Sequence, residues 1–162
     1  MPKANIEGAR RIRHDFHEKT VVCGCLKMTL RIHTLSNLLS EVILPQSVPE
    51  NLTWDCIQDA HRKLGVYETL PPRSLKESHF LEALDGIPAG STRTYGSLAK
   101  NLGSSPRGIA SRCSANRLLI RIPCHRVVSG DGIGGYRAGV GWKKALLRLE
   151  ANSHSAHDFQ DW

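Results

Sequence analysis

The first clear pattern in the chain is an alternation of apolar and polar residues over residues 21–33. Its apolar positions are Leu26, Met28, Leu30 and Ile32, and its polar positions are Lys27, Thr29, Arg31 and His33. Because successive side chains of a β-strand point to opposite faces, a period of two indicates a strand with one buried face. We therefore predict one half-buried strand across this range.

A second strand and a helix are predicted in the segment that follows. The apolar run Val42–Leu44 precedes Pro45, which ends a strand because proline has no N–H to donate. Residues with helical spacing come next, with Gly65 as a stop signal; they are Trp54, Ile57, His61 and Leu64. Together these signals predict a small sheet-plus-helix domain over residues 1–70 and a proline-containing linker over residues 71–76.

Two short helices joined by a tight turn are predicted in the second half of the chain. Thr94 is a suitable N-cap for the first helix, and Gly103 is a suitable left-handed terminator. Ser105 is a suitable cap for the second helix, over about 106–115, and Pro106 occupies its favoured first position. This arrangement is typical of a helix-turn-helix.

Further elements are predicted on both sides of this pair. A helix ends around Gly86, a buried strand covers residues 118–122 until Pro123, and a glycine-rich loop covers residues 130–141. A final amphipathic helix is predicted with Trp142, Leu146 and Leu149 facing inward and Lys143, Lys144 and Arg148 facing outward.

The fold class that these elements predict is mixed α/β (α+β). A small N-terminal sheet-plus-helix domain is followed by a helical, winged-helix-like domain with the helix-turn-helix over residues 77–152. The tail over residues 153–162 carries no clear pattern, and we expect it to be flexible.

Charge and composition narrow the function classes. The chain has 22 Lys and Arg against 15 Asp and Glu, giving a net charge of +7. A polyanion such as nucleic acid is a natural partner for such a protein, although a basic soluble protein without one fits the charge equally well.

Apolar stretches are far shorter than the roughly 20 residues of a membrane span, and the N-terminus lacks the apolar core of a signal peptide. We therefore expect a cytoplasmic, nucleoid-associated protein, and the odd number of cysteines, 5, indicates reduced thiols.

Cys124 and His125 are the first candidates for chemistry. A thiolate is a far better nucleophile than a thiol, and neighbouring groups such as His125 and Arg126 favour its formation. Adjacent side chains on a strand point to opposite faces, so a bridging water is a plausible link between this cysteine and this histidine. A cysteine next to a histidine is, by itself, more often a buried inert thiol beside a satisfied core histidine.

Several motifs in a fixed order surround this pair. They are Ile87-Pro88-Ala89-Gly90, Thr94-Tyr95-Gly96-Ser97-Leu98-Ala99, Pro106-Arg107, Ser114-Ala115-Asn116, Ile122-Pro123-Cys124-His125-Arg126-Val127-Val128, Gly135-Tyr136-Arg137, and Leu146-Leu147 with Glu150. In order and approximate spacing, residues 79–150 closely resemble the catalytic domain of the O6-alkylguanine-DNA alkyltransferases, also called methylated-DNA–protein-cysteine methyltransferases. Tyr136-Arg137 resembles the domain of the bacterial adaptive-response regulator. The N-terminal half resembles the family only in architecture.

The resemblance implies a role for each matching catalytic residue. Cys124 matches the alkyl acceptor, His125 the base that reaches it through water, and Glu150 the carboxylate that orients the histidine. Tyr95 matches the tyrosine that protonates the leaving guanine. Arg107 matches the arginine that enters the duplex and fills the gap left by the flipped base.

The resemblance also implies a DNA-binding helix and a substrate pocket. DNA contacts are expected at Arg107, Tyr95, Gly108, Ala110, Ser111 and Arg126, and pocket residues at Asn116, Cys113, Val127, Tyr136 and Arg137. The implied activity is repair of double-stranded DNA by a monomer that acts once and needs no dissociable cofactor. The alkyl group of O6-methylguanine, and as a further candidate that of O4-methylthymine, is transferred to Cys124. Slightly short loops before Arg107 and after Cys124 leave the preferred alkyl group open.

Two other groups of residues suggest alternative interpretations. Gly130–Gly135 fits the dinucleotide pattern G-x-G-x-x-G, but that pattern requires a helix to open on the glycines, and none is predicted there. Cys23, Cys25 and His33 are candidates for a structural zinc, although C-x-C is not a standard zinc pair and we expect no metal. A non-catalytic protein that senses alkylated DNA is a further alternative, against which the presence of Cys124 argues.

Overall fold

The structure, a computed structural model, describes residues 16–154. This part of the chain begins with a β-hairpin. Strand β1 (Phe16–Cys23) pairs antiparallel with β2 (Leu26–His33), and β2 pairs antiparallel with β3 (Leu39–Ile43). The single strand predicted over residues 21–33 is therefore wrong. Gly24 adopts a left-handed φ of +60°, which reverses the chain in the two-residue turn between Cys23 and Leu26.

The predicted buried face of β2 is confirmed. Leu26, Met28, Leu30 and Ile32 are each 1% exposed or less. Helix α1 (Trp54–Gly65) packs beside β1, and its Ile57, Ala60 and Leu64 are buried. The Thr53 hydroxyl caps this helix by accepting a hydrogen bond from the Cys56 N–H. The sheet and this helix form the predicted N-terminal unit.

The second half is mainly helical. It contains α2 (Leu75–Asp85), β4 (Arg93–Thr94), α3 (Tyr95–Asn101), α4 (Pro106–Ala115), β5 (Val127–Val128) and α5 (Val140–His154), and β4 pairs parallel with β5. Thr94 and Ser105 cap α3 and α4 as predicted, and Gly103 is left-handed with φ of +56°. The helix-turn-helix and the mixed α/β fold class are thus confirmed, whereas the domain boundaries stay predictions.

The strand predicted over residues 118–122 is absent. Leu118 forms an isolated bridge with Val42, and Ile120 has a left-handed φ of +67°. The Ile122 N–H donates to the Leu118 carbonyl oxygen at 2.8 Å, which closes a turn. The segment is apolar because it fills the interior between the two halves, and periodicity alone does not distinguish such a buried turn from a strand.

Two predictions about α5 are also wrong. Lys143, expected on the outer face, is 0% exposed because its ammonium is held by backbone carbonyl oxygens inside the protein. Residues 153–154, assigned to a flexible tail, lie in the last turn of the helix, and the rest of that tail lies outside the described residues.

One continuous hydrophobic core connects the two halves. It joins the inner face of the sheet to α2, α4 and α5. Trp142 of α5 is 1% exposed, and its indole N–H donates to the Pro45 carbonyl oxygen at 2.8 Å. Among residues 16–154, no helix combines the length and the apolar character that crossing a membrane requires.

Candidate active site

Cys124 opens a short 3₁₀ turn, Cys124–Arg126, that leads into β5. The Cys124 N–H donates to the Ile122 carbonyl oxygen (2.9 Å), and the Arg126 N–H donates to the Pro123 carbonyl oxygen (3.1 Å). Pro123 suits the start of this turn because its φ is restricted and it has no N–H that needs a partner. Cys124 is 3% exposed, so the thiol lies in the interior. It begins a 3₁₀ turn and does not, as predicted, follow a strand.

Asn116 connects the end of α4 to the Cys124 thiol. Its side-chain oxygen accepts a hydrogen bond from the Leu118 N–H (2.9 Å), while its amide donates to the Ile122 carbonyl oxygen (3.3 Å) and to Cys124 Sγ (3.0 Å). Burial raises the pKa of the thiol, and the hydrogen bond from Asn116 and the charge of Lys143 lower it only in part. Asn116 therefore does more than steady a turn, because it contacts the candidate acceptor itself.

His125 and Glu150 form a buried pair behind this turn. His125 Nε2 lies 2.8 Å from Glu150 Oε1, and the two side chains are 3% and 1% exposed. Because a carboxylate only accepts, Nε2 carries the shared hydrogen and Nδ1 keeps its lone pair. Nδ1 is buried and has no hydrogen-bond partner among the described residues. Burial lowers the pKa of His125, so the neutral imidazole has the protonation state of a general base.

Arg126 lies inside the protein and holds Glu150 in its charged form. Its Nε lies 3.1 Å from each carboxylate oxygen, its Nη2 lies 2.9 Å from Oε1, and its Nη1 donates to the Ile87 carbonyl oxygen (2.7 Å). Burial alone would raise the pKa of Glu150, but His125 and Arg126 outweigh it and lower the pKa to about 2. The side chain of Arg126 is only 15% exposed, so the structure does not support its predicted DNA contact.

Tyr95, the first residue of α3, lies against the glycine-rich loop. A Cβ atom at Gly134 would lie 2.8 Å from the Tyr95 hydroxyl oxygen, and Gly134 has a left-handed φ of +72°. Burial raises the pKa of Tyr95, with the charges of Cys113 and Cys124 contributing in the same direction. The loop thus packs directly on the predicted proton donor.

Lys143 is a site residue that the sequence analysis missed. Its Nζ donates to the carbonyl oxygens of Val127 (2.6 Å) and Gly135 (3.0 Å) and lies 5.7 Å from the centre of the Tyr95 ring. Burial lowers its pKa to about 8. The position of Lys143 in the sequence could have revealed it, because a residue seven positions before Glu150 lies on the same face of a helix.

The remaining predicted pocket residues lie in different environments. Val127 is buried, and the ring of Tyr136 packs edge-to-face on His125 with 6.3 Å between centroids. Burial raises the pKa of Cys113 to about 12, with the charge of Cys124 adding to the effect. Arg137 instead reaches out to the N-terminal sheet, where its guanidinium donates to Glu41 Oε1 at 3.4 Å.

Helix α4 presents the predicted DNA-contacting residues. Arg107 and Ser111 are exposed, one helical turn apart, and Ala110 is half-buried. Gly108 is half-buried, and a Cβ atom there would lie 2.9 Å from Ser104 Oγ. Its small size thus has a local reason, the packing of the turn before the helix, in addition to the close approach to DNA that the sequence suggested.

The three zinc candidates do not form one cluster. Cys23 ends β1 and Cys25 lies in the turn at one end of the hairpin, whereas His33 ends β2 at the other end. Within residues 16–154, no three side chains of the metal-binding types are grouped so that they could hold a metal ion. The expectation that no cofactor is required stays a prediction.

Residues 76–152 match a known protein family, which is described as 6-O-methylguanine DNA methyltransferase, DNA binding domain. The chain is 52% identical over 99 residues to the methylated-DNA–protein-cysteine methyltransferase of Saccharolobus solfataricus, covering 54% of this chain and 65% of that protein. It is also 52% identical over 75 residues to the bifunctional transcriptional activator/DNA repair enzyme Ada of Escherichia coli, covering 44% of this chain and 21% of that protein. The chain therefore spans less than two thirds of the length of these relatives.

A solved structure extends the likeness of the fold across both halves. The Mycobacterium tuberculosis OGT, crystallised in complex with DNA, has a TM-score of 0.62 to this chain at 22% identity and covers 84% of this chain and 93% of its own. At that identity the likeness shows the fold alone. The family match over residues 76–152 agrees with the resemblance drawn from the motifs, and these residues are similar to the DNA-binding domain of the 6-O-methylguanine DNA methyltransferases.

Proposed function

We propose that the chain repairs alkylated DNA by transferring the alkyl group of O6-methylguanine to its own Cys124. The observation that carries the proposal is a buried thiol, hydrogen-bonded by Asn116, beside the His125–Glu150 pair with its 2.8 Å contact. The family match over residues 76–152 and the names of the relatives support the same reaction. O4-methylthymine is a further candidate substrate with the same alkyl–oxygen bond.

In the proposed reaction the thiol is deprotonated before it attacks. His125 Nδ1 takes the proton of Cys124 through a water molecule, and the negative charge of Glu150 stabilises the imidazolium that forms. A sulfur–carbon bond then forms as the bond between the methyl carbon and O6 breaks. The guanine leaves with the electron pair and receives a proton from Tyr95. Each chain acts once, because the S-alkylcysteine that forms at Cys124 is stable.

The proposed partner is double-stranded DNA, bound in its minor groove by α4 and its exposed Arg107. The base has to leave the stack before the buried thiol reaches it, and a side chain inserted in the gap offsets part of the cost of a few kcal/mol. The net charge of +7 supplies affinity that does not depend on sequence. A monomeric, cytoplasmic protein without a dissociable cofactor remains our expectation.

Intact-mass measurement after incubation with a duplex that contains one O6-methylguanine tests the proposal directly. We expect each chain to gain the mass of one methyl group, and peptide mapping to place it on Cys124. Cys124→Ala is expected to gain nothing, while the matched control Cys23→Ala, at a buried thiol of the hairpin, is expected to react like the natural chain. Binding of the lesion duplex without any methyl gain would refute the transfer and favour a lesion-sensing protein.

A further inference from the structure

A pair of thiols lies in the N-terminal half, outside the site described above. Cys25 is the second residue of the two-residue turn between β1 and β2, and Cys56 lies in the first turn of α1. Their sulfur atoms are 3.8 Å apart although 31 positions separate them in sequence. Both are half-buried, whereas the other cysteines (Cys23, Cys113 and Cys124) are buried.

The hairpin turn and the helix start hold these two thiols together. Gly24 is so close to the helix that a Cβ atom there would lie 2.7 Å from Cys56 Sγ. Cys25 Sγ donates to the Asn51 carbonyl oxygen at 3.3 Å, just before the helix begins. A side chain at position 24 would push the pair apart, so the left-handed glycine serves both the turn and this contact.

The two thiols differ in how readily they form a thiolate. The Thr53 hydroxyl donates to Cys56 Sγ at 3.2 Å, and this bond is the main reason that the pKa of Cys56 falls to about 7. The position of the thiol in the first turn of α1 favours its thiolate as well. Burial raises the pKa of Cys25 and that of Cys124. Cys56 is therefore expected to be the attacking thiolate of the pair.

We propose that Cys25 and Cys56 form a redox-active dithiol that a peroxide converts to a disulfide. The Cys56 thiolate attacks the peroxide, so that a sulfur–oxygen bond forms as the oxygen–oxygen bond breaks and hydroxide leaves. Cys25 then attacks the sulfenic sulfur of Cys56, and a sulfur–sulfur bond forms as water leaves with the proton of Cys25. The two thiols lose two electrons, which reduce hydrogen peroxide to two water molecules. This proposal does not depend on the proposed repair function.

The disulfide ties the hairpin to the start of a helix that faces the candidate active site. Trp54, Ile57 and His61 of α1 line a cavity of about 390 Å³, and His125, Arg126 and Glu150 line the same cavity. Oxidation therefore fixes the N-terminal end of a helix that lines this cavity together with the His125–Glu150 pair.

Peptide mapping of the full chain after brief exposure to hydrogen peroxide at pH 7 tests the dithiol. Free thiols are blocked with iodoacetamide, and the chain is digested without reduction. We expect a Cys25–Cys56 cross-linked peptide that a thiol reductant releases, and an intact mass lower by two hydrogen atoms. At the same pH, Cys56 in the untreated chain is expected to react with iodoacetamide at least roughly tenfold faster than Cys124.

Matched variants separate the two thiols. Cys56→Ser is expected to abolish the cross-link, Cys25→Ser to accumulate a sulfenic acid on Cys56 that dimedone traps, and Cys23→Ala to form the cross-link normally. A peptide that joins Cys23 to Cys25, or oxidation of Cys124 before Cys56, overturns the proposal. The natural chain alone suffices for this decision, so a variant that fails to fold does not obscure the result.

Discussion

At Cys124 two opposing effects act on the same thiol. Burial disfavours the charged thiolate and is the larger effect, while Asn116 and Lys143 favour it. The resting thiol is therefore mainly protonated, which makes a nearby base necessary. The His125–Glu150 pair answers that need, because its imidazole is kept neutral by burial and its carboxylate is kept charged by Arg126.

The contact between Asn116 and the thiol leads to a prediction about pH. Asn116→Asp keeps an acceptor for the Leu118 N–H but replaces the donor to Cys124 Sγ (3.0 Å) with a negative charge. Both changes disfavour the thiolate, so the pKa of Cys124 is expected to rise by roughly one unit or more. The rate of Cys124 alkylation by iodoacetamide, measured against pH, is expected to shift to higher pH by that amount.

Thermal unfolding of Asn116→Asp provides the control, since a variant that unfolds early exposes the thiol and reacts faster for that reason alone. Asn116→Ala, which also loses the acceptor for Leu118, is expected to be the less stable of the two. If the Asp variant folds normally and its alkylation rate has the same pH dependence as that of the natural chain, Asn116 does not influence the thiolate.

At the scale of elements, the glycine-rich loop and α3 form one packed unit. Gly134 brings the loop backbone against Tyr95, and Lys143 ties the loop to β5 through the carbonyl oxygens of Gly135 and Val127. The loop is thus a wall that positions the predicted proton donor. The dinucleotide interpretation of its glycines does not fit this arrangement, because α5 begins only at Val140.

Gly134→Ala is expected to disturb this unit in two ways. The left-handed φ of +72° disfavours any side chain, at a cost of about 1–2 kcal/mol in unfolding free energy. The new methyl group would also lie 2.8 Å from the Tyr95 hydroxyl oxygen, which is too close, so the hydroxyl has to move. Methyl transfer in single turnover is expected to slow roughly tenfold or more, because the proton donor is misplaced.

The loop offers a matched control for that variant. Gly132→Ala introduces the same methyl group where nothing lies within 4 Å and φ is not left-handed, so stability and transfer rate are expected to stay close to those of the natural chain. Equal effects of the two alanine variants, measured by urea unfolding and by transfer rate, would show that the contact with Tyr95 has no special importance.

At the scale of the whole molecule, Glu41 connects the N-terminal sheet to the rim of the candidate site. It is 8% exposed on β3, and its carboxylate lies 3.0 Å from Arg31, 3.9 Å from Arg117 and 3.4 Å from Arg137. Arg117 follows α4 and Arg137 lies in the glycine-rich loop, so one carboxylate contacts three separate parts of the chain.

Glu41→Gln is expected to lower the free energy of unfolding by about 1–2 kcal/mol, because the network loses the anion that its three arginines share. The matched control is Glu18→Gln, which breaks an exposed ion pair with Arg31 (3.0 Å) and is expected to cost below about 1 kcal/mol. Urea unfolding of both variants measures the difference. If the two losses are equal, the connection between the halves does not depend on Glu41.

The sequence by itself determined the features that depend on neighbouring residues. The caps Thr94 and Ser105, the left-handed Gly103 and the alternation of β2 are local signals, and each is found where it was predicted. The order of motifs around Cys124 also indicated the family whose model matches residues 76–152, because several specific residues had to occur together.

Only the tertiary structure decided which side chains turn inward. Lys143 and Arg126 carry charges that on average favour the surface. In the interior, however, backbone carbonyl oxygens hold Lys143, and Glu150 holds Arg126. Likewise, the apolar residues 118–122 form a turn and not a strand, since no neighbouring strand is placed to pair with all of them. These outcomes depend on partners tens of residues away in sequence, and periodicity contains no information about such contacts.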